Sequence, residues 1–152
     1  MIEVTREQFL PAPPERVWVV VESAPRMPEW FSGIETAEVI HGSGLGRQQR
    51  MGGKWGKHTF TIDQTVILYK PPRRLAWRHD RELVDGQPAG QMSVRTESHL
   101  ELAPTPNGGT RVRLISRQWP GNFLKKFILR QIGTRRIGGM MDNSLHRLTA
   151  LV

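Results

Sequence analysis

From Pro120 to Val152 one helical period runs through the chain, and its length limits what the rest can fold into. Alternating steps of four and three give Phe123, Phe127, Gln131, Thr134, Gly138, Met141, Leu145, Leu148 and Val152, all on one side of a 3.6-residue helix. About thirty residues at ~1.5 Å each span about 45 Å, whereas a compact chain of this size has a radius of gyration of about 15 Å. Such a helix has to cross the whole molecule and lie along a sheet. Its stripe is uneven, large and apolar at both ends but polar or small at Gln131, Thr134 and Gly138. A helix that only covered a core would not be so thinly furnished at its centre, so the pattern predicts a cavity beneath it. Gly133, Gly138 and Gly139 each weaken a helix by up to ~1 kcal/mol, and the alternative is a kink or break near Gly138-Gly139.

The remainder supplies the sheet. Ile2 to Leu10 reads as a strand, and Pro14 to Glu22 as a helix with proline favourably placed in its first turn. A second short helix covers Ala24 to Phe31. From Gly33 to Gln118 the period changes to two, with strands over Glu35 to His41, Arg47 to Met51 and Lys57 to Tyr69. The segments Gly42-Ser43-Gly44-Leu45-Gly46 and Gly52-Gly53-Lys54-Trp55-Gly56 read as the turns between them. In the long strand His58, Phe60, Ile62, Gln64, Val66 and Leu68 share the face expected inside. Pro71-Pro72 ends it, and Leu75, Trp77 and His79 share one face of the next. A loop at Asp85-Gly86-Gln87-Pro88 leads to Gln91 to Leu102, where Met92, Val94, Thr96 and Ser98 are expected inward. After the turn Pro104 to Gly109, Thr110 to Gln118 points Val112, Leu114 and Ser116 inward. Strand, two helices, a run of strands and one long helix make an α+β domain over residues 1–152, with a curved antiparallel sheet of about seven strands around the C-terminal helix.

The chain has 152 residues, no cysteine and a formal charge of +8. No stretch approaches the ~18 apolar residues of a membrane span, and the N-terminus lacks the basic and apolar regions of a signal peptide. A cytoplasmic protein is expected. Without cysteine there is no disulfide, thiolate metal site or thiol nucleophile. Lys125, Lys126, Arg130, Arg135, Arg136 and Arg147 fall on the last helix, and Arg73, Arg74, Arg78 and Arg81 on or before one strand. Such clusters fit an anionic partner, a membrane surface or nucleic acid, or simply a soluble basic surface.

His41, His58, His79, His99 and His146 show no ligand-like spacing, so no metal is expected, and nothing calls for a cofactor. His58 and His79 are the two that strand parity sends inward. Each is either a buried neutral imidazole bonded to backbone, or a group that orients a ligand or moves a proton. Carboxylates fall on outward parities or at element ends, which argues against carboxylate acid–base chemistry in the cavity. Gly42-x-Gly44-x-Gly46 opens no helix, so the context for dinucleotide binding is missing. What remains is a lining for a hydrophobic small molecule. Trp30, Phe31, Met51, Trp55, Phe60, Ile62, Trp77, Met92, Val94, Phe123, Phe127 and Met141 make its apolar walls. His58, Gln64, His79, Thr96, Ser98, Ser116, Gln131 and Thr134 supply polar contacts, as an apolar pocket with a few converging polar groups requires. The alternative is a filled core whose hydroxyls are satisfied locally.

Four local pieces, in order, resemble a known superfamily: Ala12-Pro13-Pro14-Glu15-Arg16-Val17-Trp18, Met27-Pro28-Glu29-Trp30-Phe31, Lys70-Pro71-Pro72-Arg73-Arg74-Leu75-Ala76-Trp77 and Gly108-Gly109-Thr110-Arg111-Val112. A terminal helix with Ser144-Leu145-His146-Arg147-Leu148 follows the last. The chain resembles the START-like, or SRPBCC, helix-grip domains, especially the polyketide cyclase/dehydrase branch. The resemblance implies a Bet v-like helix-grip fold that hosts carriers, cyclases, stress-response proteins and protein-binding modules. It leads to a binding protein for a lipid, polyketide or other aromatic metabolite. The alternatives are a cyclase or dehydrase using His58 or His79 as base, and a basic interaction module.

Overall fold

The computed structural model describes residues 1–90 and 92–152; Gln91, the expected first residue of a strand, lies outside the described residues. Its strands are β1 (Ile2–Leu10), β2 (Thr36–His41), β3 (Gln48–Trp55), β4 (His58–Lys70), β5 (Arg74–Val84), the two-residue β6 (Gln87–Pro88), β7 (Ser93–Pro104) and β8 (Thr110–Pro120). They pair antiparallel in the order β1-β8-β7-β5-β4-β3-β2, with β6 on β5. Helix α1 (Pro14–Val21) follows β1, and a 3-10 turn (Ala24–Arg26) runs into the single turn α2 (Met27–Trp30). The valines of α1 favour strands, yet Pro14 starts a helix and Val17, Val20 and Val21 are buried on its inner side.

β3 is longer than its sequence pattern implies, because Gly52 to Trp55 continue the strand instead of turning. A side chain at Gly53 would meet the Phe60 ring at 2.9 Å and the carbonyl of Gly33. The glycine is there for close approach, and the turn shrinks to Gly56 and Lys57.

The terminal helix runs unbroken for 27 residues, as α3 (Phe123–Ile128), one π turn (Leu129–Gly133) and α4 (Thr134–Thr149). Pro120 still belongs to β8, and the Asn122 side chain caps the helix by accepting the Lys125 N–H at 2.8 Å. No break occurs at Gly138-Gly139. Gly138 is buried against Arg6, whose guanidinium occupies the space a side chain would take. The irregularity lies one turn earlier. The Thr134 N–H reaches back five residues to the Leu129 carbonyl, and the Thr134 hydroxyl donates to the Arg130 carbonyl at 2.8 Å. The side chain thereby satisfies the acceptor that its own amide has left.

That π turn shifts the phase of everything before it. Gly138, Met141, Leu145 and Leu148 are buried as the helical stripe requires, but Phe123 is 85% and Phe127 58% exposed, and Gln131 is exposed as well. Leu129 is buried in their place. The core is gripped by α4 alone, through Met141, Leu145 and Leu148 packed with Val4, Val17, Trp30, Trp77, Leu100 and Leu114. Leu148→Ala should therefore cost about 2–5 kcal/mol of unfolding free energy. Phe123→Ser should stay within about 0.5 kcal/mol, both read from urea denaturation.

Candidate functional site

Between sheet and helix lies a cavity of about 170 Å³. Its apolar end is formed by Phe31 and Ile34 after α2, Met51 on β3, Phe60 and Ile62 on β4, Leu114 on β8, and Ile137, Met140 and Met141 on α4. Its polar end is formed by His79, Thr96, Ser98, Ser116 and Gln118. Register explains this grouping, since Ser98 stands opposite Ser116, and Thr96 opposite Gln118, on paired strands. The Ser93 hydroxyl donates to the Gln118 side-chain carbonyl at 2.9 Å. The hydroxyls of Thr96, Ser98 and Ser116 have no protein hydrogen-bond partner among the described residues, although they line a largely apolar space. Ser32 and Ser144 close the helix side, where the Ser144 hydroxyl accepts the Ser32 N–H and donates to the Met140 carbonyl, both at 2.8 Å.

His79 is the one titratable side chain in this lining. It does have a carboxylate partner, which strand parity alone does not reveal. In β5, Arg81 pairs with Asp63 but His79 with Gln64, so Asp80 is an extra residue, a bulge. Thr65 (2.5 Å) and Arg78 (2.9 Å) hold the Asp80 carboxylate. Beyond the bulge the faces exchange, and Glu82 stands opposite the inward Ile62. Its Oε1 meets His79 Nδ1 at 2.8 Å. This hydrogen bond holds the Glu82 carboxyl below its ordinary range, against the opposing effect of burial. An ionised carboxylate can only accept, so Nδ1 carries the shared proton and Nε2 of a neutral ring is left to accept from another group.

The expected lining divides. Phe31, Met51, Phe60, Ile62, His79, Thr96, Ser98, Ser116 and Met141 do line the cavity. Trp30, Gln64 and Trp77 are buried outside it. Gln64 accepts from the Gln49 side-chain amide at 2.9 Å, and Gln49 in turn accepts from buried Arg47 at 3.1 Å. Both indole N–H groups, of Trp30 and Trp77, are buried without a partner among the described residues.

Six others face solvent or the margin. His58, expected inward, sits at the first residue of β4 where the strand outruns the core, and its Nδ1 meets Asp85 at 2.5 Å. That contact, followed by the Thr59 N–H, lowers the Asp85 carboxyl. Trp55 is exposed at the end of β3. Val94, expected inward, is exposed because it is the extra residue between Ser93 and Arg95. Phe123, Phe127 and Gln131 are turned outward by the π turn. Met92 and Thr134 are half-buried and outside the lining. Ser32, Gln118, Met140 and Ser144 line the cavity without having been singled out. Ser144 had a readable signal, one helical turn from Met141 and Leu148. Among the described residues no three His, Asp or Glu side chains cluster as a metal site would require.

The sequence matches the family described as polyketide cyclase / dehydrase and lipid transport over residues 1–152. The chain belongs to that family. Solved structures share its helix-grip, Bet v 1-like fold. XoxI from Bacillus cereus superposes with a TM-score of 0.77 at 14% identity, covering 99% of this chain and 95% of its own. Protein CV1439 from Chromobacterium violaceum gives 0.70 at 19% identity, covering 100% and 98%. Ara h 8.0201 gives 0.68 at 13%, covering 98% of each. No functionally curated protein matches the sequence. The family is associated with hydrophobic ligand binding, and no helix among the described residues is long and apolar enough to cross a membrane.

The Glu82–His79 pair has a testable pH signature. Because the fold favours ionised Glu82, the pair stabilises the protein above the unfolded carboxyl's pKa of about 4.3 and loses that effect as pH falls through the lower folded value. Glu82→Gln should lower the urea midpoint at pH 7, and the gap to wild type should close below about pH 4.

Proposed function

We propose that the protein binds a small amphipathic molecule with a ring-sized apolar body and an oxygen-bearing polar group. The observation that carries this reading is the set of unpartnered hydroxyls, Thr96, Ser98 and Ser116, beside His79 at one end of an otherwise apolar cavity. A filled core would spend those hydroxyls locally, since a buried hydroxyl without a partner costs about 1–3 kcal/mol. Volume narrows the ligand class. An apolar cavity of about 150 Å³ accommodates benzene, so the space here suits a phenol or similar oxygenated aromatic better than an acyl chain. The apolar body would lie against Phe31, Phe60, Ile62 and Met141, with its oxygen toward His79 and the hydroxyls.

A second reading rests on the Glu82–His79 pair. A carboxylate that holds Nδ1 and leaves Nε2 to accept is the arrangement of a general base oriented by a third group. Removal of a proton next to a substrate carbonyl, as cyclisation or dehydration of a polyketide demands, is the chemistry such a base performs. Turnover lost in His79→Gln, with ligand affinity kept, would separate this reading from simple binding.

Thermal unfolding with a panel of phenols and hydroxybenzoates, against fatty acids of rising length, tests the binding reading. A true ligand at a hundred times its Kd should add about 2.7 kcal/mol of stability. Ser116→Leu, which fills the polar end, should abolish the shift without unfolding the protein. Stabilisation by long acyl chains alone, or by none of these compounds, would overturn the assignment.

A further inference from the structure

The outward half of the terminal helix presents its apolar side to solvent. Phe123, Leu124, Phe127, Ile128 and Ile132 are all exposed, while Leu129 alone is buried. Around them stand Lys126, Arg130, Arg135 and Arg136, and no acidic residue occurs from Pro120 to Met141. The neighbouring β3–β4 turn extends the same surface. Its Trp55 is exposed, carries Arg136 against its ring at 5.2 Å, and lies between Lys54 and Lys57. Exposed Val94 continues the apolar area beside the start of the helix, within 3.6 Å of the side-chain position at Gly121.

On the sheet much of the positive charge is neutralised on the spot. Arg50, Arg74, Arg78, Arg113 and Arg117 on the outer face of the sheet each meet a carboxylate. The helix end is different in kind, because cations and bulky apolar groups occur together with no carboxylate interleaved.

We infer that this end of the protein docks onto an anionic phospholipid surface, with Phe123, Leu124, Phe127, Ile128, Ile132 and Trp55 entering the headgroup–acyl boundary and the basic residues meeting lipid phosphates. A helix lying in the interface needs this composition: an apolar face for the acyl boundary, and long cationic side chains that reach back to the headgroups. Tryptophan is the side chain favoured at that depth. A second copy fits less well, since a two-fold contact through this patch sets one cationic rim against another. Nucleic acid fits less well too, because the centre of the face is aliphatic and aromatic while the cations sit at its margin. Ile137 and Met140, farther along the same helix, line the cavity, so the docked segment leads directly to it.

Co-sedimentation with phosphatidylcholine vesicles, with and without about 30% phosphatidylglycerol, provides the test, at about 50 and 500 mM salt. Binding should appear with the anionic vesicles at low salt and weaken at high salt. Lys126→Gln with Arg130→Gln should reduce affinity about thirtyfold, from two interfacial cations. Phe123→Ser with Phe127→Ser should reduce it at least as far. Both pairs are on the surface, so matching thermal unfolding curves would confirm that the fold is intact. The inference fails if anionic vesicles do not bind, or if either double variant binds as the wild type does. It also fails if sedimentation reveals a dimer that Phe123→Ser with Phe127→Ser dissociates, or if single-stranded RNA binds more tightly than the vesicles.

Discussion

Apolar packing clamps only the last part of the terminal helix to the sheet, and the rest of the architecture follows from that partial grip. Met141, Leu145 and Leu148 fill the space above Val4, Leu100 and Leu114, so one end of the molecule is a solid core. Toward the other end the sheet curves away, and the helix meets the gap with Ile137, Met140 and Met141 and with the Ser144 hydroxyl. A space of about 170 Å³ is left beneath them. The same grip is reinforced by polar stitching, with Arg6 bridging β1 to Asp142 at 3.3 Å and Arg147 donating to the Pro28 carbonyl at 2.9 Å. These contacts tie α4 to β1 and α2.

Periodicity read the fold well and the site unevenly, and the reason is physical. Alternation of two and repetition of 3.6 both assume that no residue is skipped. Single-residue slips break that assumption here, and three of them bear on the site. Asp80 carries Glu82 to the inner face, Val94 is pushed outward, and the π turn at Leu129–Gly133 rotates Phe123 and Phe127 away from the core. Between the slips the patterns hold, so Phe60, Ile62, Thr96, Ser116 and Met141 all reach the cavity from the faces their spacing gives them. The helix-grip resemblance rested on turns and proline-rich corners, which slips inside strands do not disturb. Nothing local in the sequence marks Asp80 as surplus, because the bulge is defined by its partners on β4.

Charge tells a similar story of placement over amount. A formal +8 says little until the carboxylates are located. Arginines along the outer sheet sit in ladders with Glu3, Glu101 and Asp63, where exposed pairs contribute at most about 1 kcal/mol each. Much of what is left over stands on the terminal helix and around the β3–β4 turn, at Lys126, Arg130, Arg135 and Arg136 with Lys54 and Lys57. Buried Glu97, on the outer face, shows the local economy at work: burial pushes its carboxyl up, but hydrogen bonds from His99 and Arg95 pull it down further.

The π turn is one residue more than an α repeat needs, and each residue of an α-helix advances the chain by about 100°. By absorbing one residue, the turn Leu129–Gly133 sets Phe123 and Phe127 off by about that angle from the side the stripe assigns them, and deleting one residue there would restore the regular repeat while leaving both facing outward. Wound as an unbroken α-helix the same residues would cover the cavity, and wound with one wider turn they show their apolar side to the surroundings. On this scaffold one wider turn, too small to alter the fold, decides which way the first turns of its longest helix face.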